Sequence, residues 1–416
     1  MTCMISAADV EAAAENLVGT VRQTELLPNA RLSESTGAQV LLKREDLQPV
    51  RSYKLRGAYH MMSRLTSDER AAGVVCASAG NHGQGVAYSA ALLGIHARVF
   101  CPTNTPRQKR NRMRDLGGEW IELVLEGTTY DEAAAAAREA AGGTGAIQVP
   151  AFDHEQIIAG QGTVASEIVQ QLGAAPDVLL LPVGGGGLLA GCLTWLRERW
   201  PATRIVAVEP VGARSMQAAL QAGHPVRLTD LDTFADGVAV RTAGRITFEI
   251  VKSLGCEWAT VPEGQICSEM LELYQTDGVI AEPAGALAPA ALRSVVSVEP
   301  GQRVVAVVSG GNNDVSRYSE IVERSLIFEG RKHYFLVTFP QEPGALRRFL
   351  DEILGPEDDI TYFQYVKRSN REVGPAMVGV ELGDPGSFPV LLQRLRYSPL
   401  QVEVLDPDSP VYRFLV

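Results

Sequence analysis

Lysine is scarce in this sequence. The 416-residue chain carries six (Lys43, Lys54, Lys109, Lys252, Lys332 and Lys367) beside 32 arginines, so chemistry that needs a primary amine has six candidates. A basic field is missing too. The formal net charge is −11, and a phosphate backbone is not neutralised by such a chain, which excludes nucleic acid from the expected partners. Cysteine and histidine number six each. Cys3, Cys76, Cys101, Cys192, Cys256 and Cys267 form no C-x-x-C pair, and no Cys/His cluster has zinc spacing, so no metal is expected. Scattered thiols in a long chain suit a reducing, cytoplasmic compartment, where they pack as small hydrophobes. The first basic residue is Arg22, so no basic leader precedes an apolar core. One segment that mimics a membrane span, the uncharged run Val178–Leu196, is broken by Pro182 and by Gly184–Gly187. A membrane-spanning helix needs about 20 apolar residues in register, so the run reads as strand, glycine loop and helix start.

The composition that remains is globular: 46% hydrophobic and 21% charged, enough for two or three domains. Short apolar runs at Val40–Lys43, Val74–Ala77, Ala97–Cys101, Val178–Val183, Ile205–Glu209 and Val304–Ser309 alternate with helix-length stretches such as Gly83–Leu93, Tyr130–Ala141 and Gly187–Trp200. Apolar strands alternating with helices predict open parallel α/β sheets covered on both faces. After about Ile327 the pattern changes. Strands at His333–Phe339, Ile360–Lys367, Ala376–Leu382 and Val402–Leu405, with helices at Pro343–Leu354 and Ser387–Tyr397, spell β-α-β-β-α-β, a ferredoxin-like order. The expected domains are therefore 1–328, with a small subdomain at about 46–149, and 329–416, joined near Ser325–Lys332.

Four segments could carry chemistry. In Leu181-Pro-Val-Gly-Gly-Gly-Gly-Leu-Leu189, a strand runs through Gly184, Gly185, Gly186 and Gly187 into a helix. Four residues without Cβ let backbone N–H groups converge on one anion, and the helix start adds partial positive charge. No G-K-[ST] follows, so the anion is not a nucleoside triphosphate. In Ser52-Tyr-Lys-Leu-Arg-Gly57, Lys54 lies ahead of a helix (Ala58–Ser63) with Arg51 and Arg56 beside it, a setting that lowers an amine's pKa. Alone, it reads as a solvated lysine on a basic face. Ser78-Ala-Gly-Asn-His-Gly-Gln-Gly85 offers a second cradle and the Asn81 amide; His82 alone reads as a structural histidine on a backbone carbonyl. Ser309-Gly-Gly-Asn312 offers a hydroxyl at a strand end, where a plain turn is the simpler alternative. Together they supply a phosphate cradle, an amine, an amide and a hydroxyl at the ends where open sheets bind ligands. That set fits pyridoxal phosphate.

In this order the four motifs resemble the fold-type II (tryptophan-synthase-β-like) pyridoxal phosphate enzymes over about residues 5–325, and within them the threonine dehydratases (threonine ammonia-lyases). Tyr334–Pro340 and Glu342–Leu346 resemble the ACT-like regulatory domain of the biosynthetic members, with room for one such module. The resemblance implies that Lys54 forms the Schiff base and moves the Cα proton. It implies that Asn81 bonds the cofactor's 3′-hydroxyl, Gly184–Gly187 with Leu188 hold the phosphate, and Ser309 meets the pyridine nitrogen. Ser78, Ala79, Gly80, Asn81 and His82 would receive the substrate carboxylate, and Glu282 lies in a stretch like the family's cofactor-side wall. A serine at the ring nitrogen makes a weaker electron sink than an aspartate would, which favours elimination, and Ala79 argues against racemisation. The expected activity is deamination of L-threonine to 2-oxobutanoate, and of L-serine more slowly, as the first committed step of isoleucine biosynthesis. L-isoleucine is the expected effector and a homotetramer the expected assembly. The alternatives are threonine synthase, a β-replacing synthase, or a non-catalytic amino-acid sensor.

Overall fold

The structure, a computed structural model, describes residues 5–365, 372–406, 409 and 412. Cys3, Lys367 and the end of the strand expected at Ile360–Lys367 lie outside them. The chain divides into two units at Asp314/Val315.

In the first unit the apolar runs form two sheets. Gln39–Arg44, Arg303–Val308, Val178–Pro182, Arg204–Pro210 and Glu257–Val261 lie parallel in that spatial order, and Leu26–Pro28 adds an antiparallel edge. Every residue of Val178–Pro182 is buried, the pattern of a parallel strand covered on both faces. The second sheet is wholly parallel: Ile121–Leu125, Ala97–Cys101, Val74–Ala77 and Ile147–Gln148. The two-residue Ile147–Gln148 and the half-buried Ile121–Leu125 lack the continuous apolar run that marks the other strands. The first residues of the chain add a helix, Ala7–Leu17, fixed by a Ser6/Asp9 capping box. Its apolar side packs on the helices Glu155–Leu172 and Gly187–Arg199.

Glycine decides how closely the central helices approach. A Cβ on Gly160 would lie 2.7 Å from the Arg56 carbonyl oxygen and from the Gly57 Cα. A Cβ on Gly191 would lie 2.6 Å from the Gly162 nitrogen. The helix Glu155–Leu172 is thus pressed between the helix Lys54–Ser63 on one side and Gly187–Arg199 on the other, at distances only glycine allows.

The second unit contains an antiparallel sheet in the order Asp359–Tyr365, Val373–Glu381, Lys332–Pro340, Gln401–Val404, with the helices Ala345–Glu352 and Phe388–Tyr397. Phe335, Val337, Phe349, Val378, Val380 and Leu391 fill its core. This is the ferredoxin-like β-α-β-β-α-β order. The helix Tyr318–Phe328 also belongs to this unit: Glu323 accepts from the Tyr334 hydroxyl at 2.7 Å and pairs with Lys332. These bonds place the division between units upstream of the linker expected at Ser325–Lys332.

Candidate active site

The lysine helix begins earlier than its apolar pattern suggests, at Lys54 itself rather than near Ala58. The residues before it are sewn to the strand end at Ser309. Tyr53 N donates to Ser309 O at 3.2 Å, Gly311 N donates to Arg51 O at 2.9 Å, and Ser52 bridges Gly310. These bonds hold Arg51 at φ 57°, a left-handed conformation uncommon outside glycine. Lys54 Nζ donates to the Ala151 carbonyl at 3.2 Å. Arg56 does not act as a neighbouring free cation: its guanidinium is buried in ion pairs with Glu45 and Glu167.

Ala151 leads directly to the glycine loop. The next residue, Phe152, lies across Gly185 and Gly187, where a Cβ on either glycine would strike its ring or backbone. Asp153 then accepts from the backbone N–H groups of Arg245, Ile246 and Thr247 at 2.7–3.3 Å, capping the helix Arg245–Leu254. Thr247 in turn donates to the Gly185 carbonyl at 2.6 Å. Gly186 takes φ 93° and no side chain caps the helix that starts at Gly187. The first N–H groups of that helix have no intrahelical acceptor and are available to an anion. Leu188 contributes only backbone there, because its side chain is buried in the core.

The helix Asn81–Leu93 also starts without a side-chain cap. Ser78 Oγ accepts from Gly80 N at 3.1 Å, which shapes the turn. His82 points away from this opening and its Nε2 bonds the Val149 carbonyl at 2.8 Å. Burial pushes its pKa down to about 4, so the ring is neutral near pH 7 and is the structural histidine that the bare sequence suggests. Asn81 is held on both sides of its amide: Nδ2 donates to Glu282 at 2.5 Å and Oδ1 accepts from Asn312 Nδ2 at 2.6 Å. Ser309 Oγ is buried and donates to the Ala284 carbonyl at 3.1 Å. Lys109 pairs with Asp236 at the edge of this group.

Burial, together with nearby Asp236, pushes the Glu282 carboxyl up to about 7, against the pull of the Asn81 amide and Lys109. In an unfolded chain the same group titrates near ~4.3. Between these values the folded protein keeps a proton that the unfolded chain has released, so this group's contribution to stability declines as pH rises from about 4.5 to 7. Relative to wild type, Glu282→Gln should gain Tm progressively between pH 5 and 7, whatever slope the buried His60 and His82, whose pKa values burial pushes down to about 4, add to both proteins. Glu209, also pushed up to about 7 by burial, supplies a residual slope. An unchanged Tm profile would show that Glu282 is not the group responsible.

These residues fit a phosphate-bearing aldehyde. The glycine loop packs so closely on Val238, Phe152, Met216 and Thr247 that none of its four residues has room for a Cβ, so it presents backbone alone, and the helices at Lys54 and Asn81 also start without a side-chain cap. Ser52 Oγ, two residues before Lys54, is buried with no hydrogen-bond partner among the described residues, so its hydrogen-bonding capacity is unused. Sequence inspection missed Ala151, Phe152 and Asp153, and it left Asn312 without a role. The Pro-Ala-Phe-Asp run of residues 150–153, which follows the two-residue strand Ile147–Gln148, carried no strand signal of its own to mark it. Among the described residues no group of three or more His, Cys, Asp or Glu is placed to hold a metal ion, and no helix is long and apolar enough to cross a membrane.

Two parallel sheets with an amine, a glycine cradle, an amide and a hydroxyl at their strand ends define a pyridoxal-phosphate-dependent enzyme of fold type II. The family model described as pyridoxal-phosphate dependent enzyme matches residues 17–310, and that of the C-terminal regulatory domain of threonine dehydratase matches residues 323–415. The chain belongs to the biosynthetic L-threonine dehydratase family. It is 56% identical over 414 residues to the biosynthetic L-threonine dehydratase of Mycobacterium bovis, covering 99% of this chain and 96% of that one. The processed form of threonine deaminase isoform 2 from Solanum lycopersicum superposes with a TM-score of 0.71 at 38% identity, over 76% of this chain and 92% of that one. Maize serine racemase gives the same TM-score at 27% identity, over 78% and 98%.

Proposed function

We propose that the protein eliminates water from L-threonine to give, after hydrolysis, 2-oxobutanoate and ammonia. L-serine is the slower substrate, and the reaction is the first committed step of isoleucine biosynthesis. The observation that carries this reading is the single chain of contacts from Lys54 through Ala151 and Phe152 to the glycine loop, and from Tyr53 to Ser309. Lys54 is the amine that would hold pyridoxal phosphate, with Gly184–Gly187 and the Leu188 N–H at its phosphate, Asn81 at its ring hydroxyl and Ser309 at its ring nitrogen. When bound, the cofactor supplies an electron-withdrawing ring that acidifies the Cα–H of an amino acid.

The protein's own residues then divide the work. The Ser78–His82 loop, at an uncapped helix start, receives the substrate carboxylate through the N–H groups of Ala79, Asn81 and His82, those of Ser78 and Gly80 being bonded to the Phe100 carbonyl and to Ser78 Oγ. Lys54 Nζ, oriented by the Ala151 carbonyl, takes the Cα proton as general base. Glu282 and Asn312 fix which end of the Asn81 amide is donor and which is acceptor. Ser309 has one proton, shared between the Ala284 carbonyl and a facing nitrogen. A hydroxyl does not hold positive charge on that nitrogen as a carboxylate would, which favours early departure of the β-hydroxyl over reprotonation at Cα.

The second unit, by its relation to the regulatory domain of threonine dehydratase, is the sensor of an amino-acid effector, and L-isoleucine is the effector proposed. The assembly proposed is a cytoplasmic homotetramer. Release of 2-oxo acid from L-threonine, with and without L-isoleucine, tests both parts. Release suppressed by L-isoleucine is expected. No release, with pyridoxal phosphate bound, would overturn the assignment in favour of a β-replacing synthase. Release indifferent to L-isoleucine would overturn the choice of effector alone.

A further inference from the structure

We propose that Arg56 is a positioning residue for Lys54, locking the lysine helix onto the helix Glu155–Leu172, which packs in turn on the helix that follows the glycine loop. The inference rests on Lys54 being the reacting amine. Arg56 lies two residues beyond Lys54 in the same helix. Its guanidinium grips Glu45 with two bonds, Nε to Oε2 at 2.8 Å and Nη2 to Oε1 at 2.6 Å. Nη1 reaches across to Glu167 at 2.9 Å and to Thr163 Oγ1 at 3.2 Å, both on the helix Glu155–Leu172. Lys43 completes the group. Its Nζ spends its three donors on the Thr24 carbonyl, Glu167 and Gln171 at 2.5–2.8 Å. Two cations balance two carboxylates. Arg56, Lys43 and Glu45 are buried, and Glu167 is 13% exposed.

A neutral buried ion cluster of this kind contributes little net stability, because apolar side chains of equal volume often do as well. What it supplies here is a fixed angle. The helices Lys54–Ser63 and Glu155–Leu172 meet through Gly57 and Gly160, and Gly57 N donates to Gln161 Oε1 at 3.2 Å. A glycine contact brings two helices close but offers no side chain to stop one sliding or turning on the other. The planar fork of Arg56, held on both sides, is that stop. The far side of Glu155–Leu172 meets Gly187–Arg199 at Gly162 and Gly191. One helix therefore spaces the amine from the anion cradle, and Arg56 sets the orientation of the amine on it.

The test uses the full-length enzyme loaded with pyridoxal phosphate. Arg56→Lys keeps the charge and loses the fork; Thr163→Val and Glu167→Gln each remove one partner. The readings are kcat, KM for L-threonine, the visible absorption band with its pH midpoint, and Tm. Displacing a reacting group by about 1 Å can cost ~10²-fold, so Arg56→Lys should lower kcat at least about tenfold. KM should stay within about threefold, and the visible band or its pH midpoint should shift. Thr163→Val and Glu167→Gln should show the same signature to a smaller extent. A lower Tm with kcat and the visible band unchanged in the folded variants would mean a merely structural cluster and overturn the inference. If Arg56→Lys fails to fold, wild-type kcat and spectrum in both partner variants overturn it equally. Turnover surviving in Lys54→Ala would instead overturn the reading of Lys54 itself.

Discussion

Lys54→Ala is expected to abolish turnover of L-threonine and to leave a protein that no longer retains pyridoxal phosphate through gel filtration. A positioned general base alone contributes ~10²–10⁴-fold. Because Lys54 is also the residue proposed to hold the cofactor, the loss should reach or pass the upper end of that range. The structural cost should be small. Lys54 makes one side-chain hydrogen bond, to Ala151 O, and among the described residues it forms no ion pair. Its removal therefore strands no buried charge, and Tm should move little when both proteins are measured without cofactor. Steady-state assay, the visible band and a melting curve together separate loss of chemistry from loss of fold. Near-normal turnover would place the reacting amine elsewhere.

Gly185→Ala should weaken pyridoxal phosphate binding by about two orders of magnitude. The new methyl group would lie inside the Phe152 ring, 2.3 Å from its Cγ, and the Phe152 backbone and Cβ lie close over Gly187. Either the ring leaves or the loop shifts. Overpacking of this sort costs roughly 1–3 kcal/mol, and a displacement near 1 Å at a positioned group can cost ~10²-fold. Titration of the cofactor-free variant with pyridoxal phosphate reads the effect directly. Gly142→Ala is the matched control. It lies in the helix Tyr130–Thr144 with nothing within 4 Å of its would-be Cβ, so the substitution should leave binding unchanged and, if anything, raise Tm. Equal affinities in the two variants would show that the loop does not hold the phosphate.

Both predictions start from short stretches whose chemistry is written in consecutive residues. Gly184–Gly187 could be found because strand, loop and helix follow one another in sequence, and a run of four glycines has few other uses. Lys54 stood out because lysine is rare here. The start of its helix was misplaced because Tyr53 and Arg51, just ahead of it, are held by Ser309 and Gly311, more than 250 residues away in the chain. The roles of Phe152 and Asp153 were hidden for a similar reason: their partners, Gly185 and Arg245–Thr247, are near only after the two sheets have packed. Arg56 was misjudged outright. Sequence proximity made it look like a cation beside Lys54, whereas its helical position turns it towards Glu45 and Glu167.

The sequence by itself determined the parallel α/β class, the β-α-β-β-α-β tail, the order of the four motifs and so the family. Each of these depends on period, composition or neighbouring residues, which a chain carries before it folds. The tertiary structure alone decided where the lysine helix begins, that Asn81 is fixed between Glu282 and Asn312, and that a buried cluster of four charges lies beneath Lys54. Those depend on side chains far apart in sequence meeting out of water, where unpaired polar groups are costly and partners are set by packing.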